Sequence, residues 1–127
     1  MANITLSNQA KVNGFYNTEP MELESNILET TLVSGLTVVK SADQEIWVSG
    51  ELTYTVTVTN DAEAHFSAPT FTDILDITQI KLVADSVEVN GNPTTYTYNS
   101  ATGLLTVILS TITTETSTII TFKVERI

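Results

Sequence analysis

Leu52, Tyr54, Val56 and Val58 alternate with Thr53, Thr55, Thr57 and Thr59, and this run predicts a half-buried β-strand. Its two-residue period, built from β-branched and aromatic types, cannot form one apolar face on a helix of 3.6 residues per turn. Residues 3–12 repeat the pattern: Ile4, Leu6, Ala10 and Val12 share one face with Asn8 among them, and Thr5, Ser7, Gln9 and Lys11 share the other. Asn13-Gly14 then reads as a type I′ turn signal that opens a longer loop rigidified by Pro20. A second, less regular extended segment, Met21–Thr31, carries Glu22, Glu24 and Glu29 on a solvated side. The two segments are expected to form a hairpin arm ahead of the domain proper.

From Gly35 the punctuation becomes dense. GLTVVKS predicts a strand with Leu36 and Val38 on one face, and SADQEIWVSGE a short strand or bend carrying Ile46 and Trp47. After the central strand, Asn60–Pro69 reads as a polar loop and TFTDIL as a strand that buries Phe71 or its neighbours. Ile80–Val83 and Ser86–Val89 follow, ended by the hairpin signal Asn90-Gly91. Tyr96 and Tyr98 alternate with Thr95 and Thr97, Asn99–Gly103 turns the chain into LLTVIL, and Ser117–Val124 places Ile120, Phe122 and Val124 on one side. About seven to eight short strands with turn signals every ~8–12 residues are the pattern of an antiparallel sandwich. The expected fold is therefore all-β, with no helical periodicity and no internal repeat.

Composition narrows the function classes. The 127 residues suffice for one domain with a real core. Fifteen acidic against five basic residues, net −10, argue against nucleic acid, whose phosphates require Lys/Arg stripes, and against an anionic membrane surface. The absence of cysteine removes disulfides and thiolate metal sites. The start, MANITLSNQAKV, has no signal-peptide pattern, and no run approaches the ~18–20 apolar residues of a membrane span.

GLTVVKSAD (35–43), VSGELTYTVTVTN (48–60), FTDIL (71–75), SVEVNG (86–91), NSATGLLTV (99–107) and TIITFKV (118–124) together resemble an Ig-like repeat family, "domain of unknown function eleven", found in tandem on bacterial surface and appendage proteins. The resemblance covers most of residues 35–124 and implies an immunoglobulin-like antiparallel β-sandwich. One departure falls after Asp73, where the family pattern runs on to a proline and this chain has Asp76. In family arrays a segment like Asn8, Ala10, Val12, then Ser25, Asn26 and Thr30 follows the TFKV-like strand and completes a repeat. Here it stands at the front. The resemblance implies a repeat cut so that the closing strands of a preceding domain open the chain, leaving its own sandwich short of an edge.

Candidate chemistry is sparse. His65 is the only histidine, lies in a polar loop and has no nucleophile elbow beside it, which reads as a solvated side chain and the chain as a non-enzyme. Asp73 and Asp76, with Asp43 or Asp61, lack the spacing of a calcium loop, and Asp73 is expected to fix a turn. Lys40 with Asn60 as acceptor is a candidate isopeptide pair, set against a lysine snorkelling at a strand end. Trp47, Tyr96 and Tyr98 are a candidate sugar platform, set against core packing. No cofactor or metal is expected.

These readings combine into a structural subunit: a donor hairpin arm at residues 1–31, a linker at 32–34 and an Ig-like sandwich at 35–127. An open edge exposes unpaired backbone groups that a neighbour's arm would complete by strand addition. Ile4, Leu6, Asn8, Ala10, Val12 and Ile27 are the expected donor residues. The expected partner is the chain itself, as a homopolymer with an unidentified anchor or tip protein, placed outside the cell on a cell or spore surface. The alternative is a monomeric Ig-like module, glycan-binding or virion-decorating, whose arm inserts into its own groove.

Overall fold

The computed structural model describes residues 4–32 and 34–127; residues 1–3 of the expected arm and the middle of the expected linker 32–34 lie outside them. The arm comprises β1 (Ile4–Asn8), β2 (Lys11–Tyr16), β3 (Glu19–Glu24) and β4 (Leu28–Leu32). β1 pairs with β4 and β2 with β3, both antiparallel, so the arm is one long hairpin interrupted once. At the interruption Gln9 and Ala10 face Ser25, Asn26 and Ile27, one residue more, which is a β-bulge. Ser25 holds it: the Ala10 amide donates to Ser25 Oγ at 2.9 Å, and the Ser25 amide donates to the Ala10 carbonyl at 2.9 Å.

The bulge explains why residues 21–31 look irregular. On the first strand the apolar positions stay even-numbered, Ile4, Leu6 and Val12. On the second they change from odd (Met21, Leu23) to even (Leu28) across the extra residue, which keeps Leu23 opposite Val12 and Leu28 opposite Asn8. The turn also differs from expectation. Tyr16 pairs with Glu19, and Asn17 and Thr18 form the two-residue loop with φ of 51° and 70°, both left-handed as a type I′ turn requires. Asn13-Gly14 lies inside β2, opposite Glu22 and Met21. Turning at Asn13-Gly14 would forfeit the Val12–Leu23 pair and the ion pairs from Lys11 to Glu22 and Glu24, both 3.5 Å, so the longer ladder overrides local turn propensity.

The remainder is all-β, two antiparallel sheets packed face to face, with no helix among the described residues. The chain continues through β5 (Leu36–Ala42), β6 (Leu52–Asn60), β7 (Thr70–Ile74), β8 (Ile80–Leu82), β9 (Glu88–Val89), β10 (Asn92–Pro93), β11 (Thr97–Asn99), β12 (Leu104–Ile108) and β13 (Thr116–Arg126). The larger sheet runs β10-β9-β13-β6-β5, with β8 also on β13; the smaller runs β11-β12-β7. As the alternation predicts, Leu52, Val56 and Val58 of β6 are buried while its threonines are half-exposed. Ile120, Phe122 and Val124 sit in register beside Val56, Tyr54 and Leu52 with no exposed surface. Leu105 and Val107 of β12 meet them from the other sheet. Each such side chain contributes about 1.5–3 kcal/mol by leaving water. The Asn90-Gly91 hairpin forms where the sequence places it, with φ of 51° and 81°.

Two residues pin the corner at which the arm meets the sandwich. Asn60, fully buried, donates through Nδ2 to the carbonyls of Ile112 (2.8 Å) and Ala64 (3.0 Å), and its Oδ1 accepts from the Ala62 amide (3.0 Å). Gly35, at φ +94°, accepts a bond from the Asp61 amide at 2.8 Å. A Cβ there would stand 2.8 Å from both the Ala62 nitrogen and the Asp61 carbonyl carbon. Gly35→Ala is therefore expected to lower the unfolding free energy by about 1–3 kcal/mol, read as a lower urea midpoint with an unchanged slope.

Candidate functional site

The larger sheet is wider than the smaller, and the shortfall falls at one edge. β5 pairs only with β6, and β7 only with β12, so both present a free backbone edge among the described residues. Register places Val38 beside the buried Val58 on the inner face, yet Val38 is 68% exposed. Between the two edges lies a groove of about 290 Å³, lined by Val38, Val58, Phe66, Phe71, Leu109 and Ile112 among others, with no charged residue in its walls. Phe66 stands at its mouth, fixed by reciprocal backbone bonds with Ile112 of 2.9 and 3.0 Å.

One residue pair further along both inner rows, the groove is bridged. Lys40 of β5 lies beside Val56, and Asp73 of β7 beside the buried Leu105, so both side chains point inward. Lys40 Nζ donates to Asp73 Oδ2 at 2.6 Å and sits 4.5 Å from the centre of the Tyr54 ring. A charge-assisted bond with a cation over an aromatic face ties the two sheets together where their edges diverge. From sequence, Lys40 with Asn60 is a candidate isopeptide pair, set against a lysine snorkelling at a strand end. The structure does not bring those two together: Leu36, not Lys40, is opposite Asn60, and both ends of the Asn60 amide are spent on backbone.

The arm presents a second apolar surface. Every described residue from 4 to 31 is exposed, and no arm strand packs on a strand of the sandwich. Ile4, Leu6 and Asn8 share the face of β1 with Leu28 and Thr30, and the reverse face is Thr5, Ser7, Glu29 and Thr31. Val12 lies on β2 with Gly14 and Tyr16, opposite Leu23 and Met21; Glu19 closes that face at the tip, and Lys11, Asn13, Phe15, Pro20, Glu22 and Glu24 occupy the other. Ala10 falls in the interruption between β1 and β2, and Ile27, 59% exposed, falls in the bulge. Neither is a strand residue. Tyr16, Met21 and Leu23, omitted from the expected donor set, belong to its apolar face. The signal that would have found them is the facing of Lys11 by Glu22 and Glu24, which centres the hairpin on Asn17-Thr18.

The other candidates resolve into packing and turns. Asp76, not Asp73, fixes a turn, its Oδ1 accepting from the Thr78 amide at 3.1 Å. His65 Nδ1 accepts from the Thr114 amide at 3.2 Å. Trp47, Tyr96 and Tyr98 are half-buried against the core; Trp47 Nε1 donates to the Gly50 carbonyl, and the Tyr96 hydroxyl accepts from the Asp85 amide. Among the described residues no three acidic or histidine side chains form a metal cage, and no helix is long and apolar enough to cross a membrane. A polar recess of about 420 Å³ near Glu51, Asp85, Glu88 and Lys123, on the outer face of the larger sheet, contains none of the predicted site residues. Comparison with protein-family models, curated proteins and solved structures gives no match.

The bridge invites a direct measurement. Asp73 keeps 14% and Lys40 44% of its side-chain surface in water, so the pair is screened in part. A double-mutant cycle with Lys40→Met and Asp73→Asn is expected to give a coupling of about 1 kcal/mol. A coupling indistinguishable from zero in urea melts would show the bridge to be energetically idle.

Proposed function

We propose that this protein is a structural subunit of an extracellular filament or appendage, assembled head to tail when the arm of one copy completes the sandwich of the next. One observation carries the reading: the chain holds an uncovered inner row between two free sheet edges and, separately, an apolar hairpin that covers nothing. Strand addition supplies backbone hydrogen bonds along β5 and β7, and the apolar arm face replaces water over Val38. Donor and groove are different surfaces, so the contact is heterologous and propagates as an open filament unless its rotation closes a ring. A hairpin of this size buries more than ~1,500 Å² when seated, the scale of a stable interface.

The Ig-like topology, the homopolymeric partner, a separate anchor or tip protein, and placement on a cell or spore surface belong to this proposal, as does a role without catalysis, nucleic acid or membrane. The motifs that resemble the tandem surface repeats support it. The isopeptide staple is left out, because Lys40 is engaged by Asp73. Exposure of the whole arm counts against a monomeric module whose arm lies in its own groove.

Negative-stain electron microscopy of the full chain beside a chain lacking residues 2–31 tests the reading: fibres from the first and single particles from the second are expected. Single particles from both would remove it. Leu6→Asp and Ile4→Asp should leave a folded, soluble monomer, since both side chains are exposed in the isolated chain while a carboxylate seated in an apolar groove costs several kcal/mol. Assembly of either variant like the parent would show that β1 is no part of the donor.

A further inference from the structure

Gly14 is a glycine that its own fold does not require. It sits in β2 opposite Met21, outside the left-handed region, and a Cβ built on it meets nothing within 4 Å. A β-branched residue would favour the strand, and glycine inside a strand marks a place where something else approaches closely. Around the missing side chain is a notch of about 220 Å³ in the apolar face, bounded by Val12, Phe15, Tyr16, Met21 and Leu23.

Building on the donor-strand reading, we propose that this notch receives Phe66 of a second copy, so that the tip half of the arm, β2 with β3, sets how far the hairpin enters the groove. Phe66 is a large apolar side chain, 39% exposed, on a backbone held rigidly to Ile112 at the groove mouth. Its backbone cannot shift without breaking those bonds, so a close cover over the ring needs a recess. A cavity of about 150 Å³ already takes benzene, and the notch exceeds that. Met21 on its wall is unbranched and adapts to an aromatic ring. The charges agree with this pairing. The groove walls carry none, and the arm turns Lys11, Glu22 and Glu24 away on its other face, with only Glu19 at the tip on the contact side. In a chain of net −10, an uncharged groove meets an arm face with a single carboxylate, so carboxylates are not stacked against one another. No arm strand contacts a strand of its own sandwich, so the notch stands open to the Phe66 of a second copy.

The test fills the notch in the full-length chain. Gly14→Val should keep the parent's circular dichroism and thermal midpoint but raise the critical concentration for fibres at least about tenfold. Asn13→Val, one residue away on the ion-paired face, should assemble like the parent. Adding Phe66→Ala to Gly14→Val should restore fibres. Parent-like assembly of Gly14→Val overturns the proposal, equal loss in Asn13→Val overturns the assignment of the face, and a double variant that stays monomeric overturns Phe66 as occupant. If Leu6→Asp blocks fibres while Gly14→Val does not, donor-strand assembly stands and this inference alone falls. A parent chain that forms no fibres removes both.

Discussion

Three strands have to cover the inner face of a wider sheet, and the consequences of that mismatch organise the molecule. Over β6 and β13 the cover is complete, and Phe122, Ile120 and Val124 lose all contact with water. At β5 it fails. Val38 occupies the same inner row as Val58 but has nothing above it, and the fold answers locally with Lys40 and Asp73, polar side chains placed inward where an apolar pair would be left wet. An ion pair is a sensible filler there because it tolerates partial hydration and still ties the sheets.

The arm presents the reverse problem. A lone two-stranded hairpin is marginal in water, and among its described residues this one buries no side chain fully. What holds it is a full ladder, a two-residue turn and the ion pairs from Lys11 to Glu22 and Glu24 on one face. The other face, from Ile4 to Tyr16, is mostly apolar, broken by Asn8, Thr30 and Glu19. Sandwich and arm each end with an unmet demand of the same chemical kind, and the proposed head-to-tail assembly would meet both.

How legible this was depended on which force decided each element. β6, β13 and the Asn90-Gly91 turn were readable because local preference and burial agree there. The arm was misread where they disagree. Asn13-Gly14 has the better turn chemistry, yet the ladder through Lys11, Val12 and Leu23 carries more and moves the turn to Asn17-Thr18. The phase change across Ser25–Ile27 hid the apolar face of the second strand and drew Ile27 into the donor set. Lys40 was recognised as unusual, but its partner depended on how two sheets stack, which alternation along a strand does not encode. Asn60 is a candidate acceptor by sequence alone and a corner brace in the fold, since both ends of its buried amide are bonded to nearby backbone.

That corner has a mechanical meaning. In a filament of the proposed kind, tension on the arm enters the sandwich at Gly35, where the backbone is clasped to Asp61 beside the braced Asn60. From there it runs along β5, seven residues paired antiparallel with β6 and locked at the far end, where the Asp43 amide donates to the Thr53 carbonyl and the Thr53 amide donates to the Asp43 carboxylate. Pulled along its axis, such a ladder is loaded in shear, and its bonds must yield together rather than peel one at a time. The strand with the least cover is thus also the one best placed to bear load.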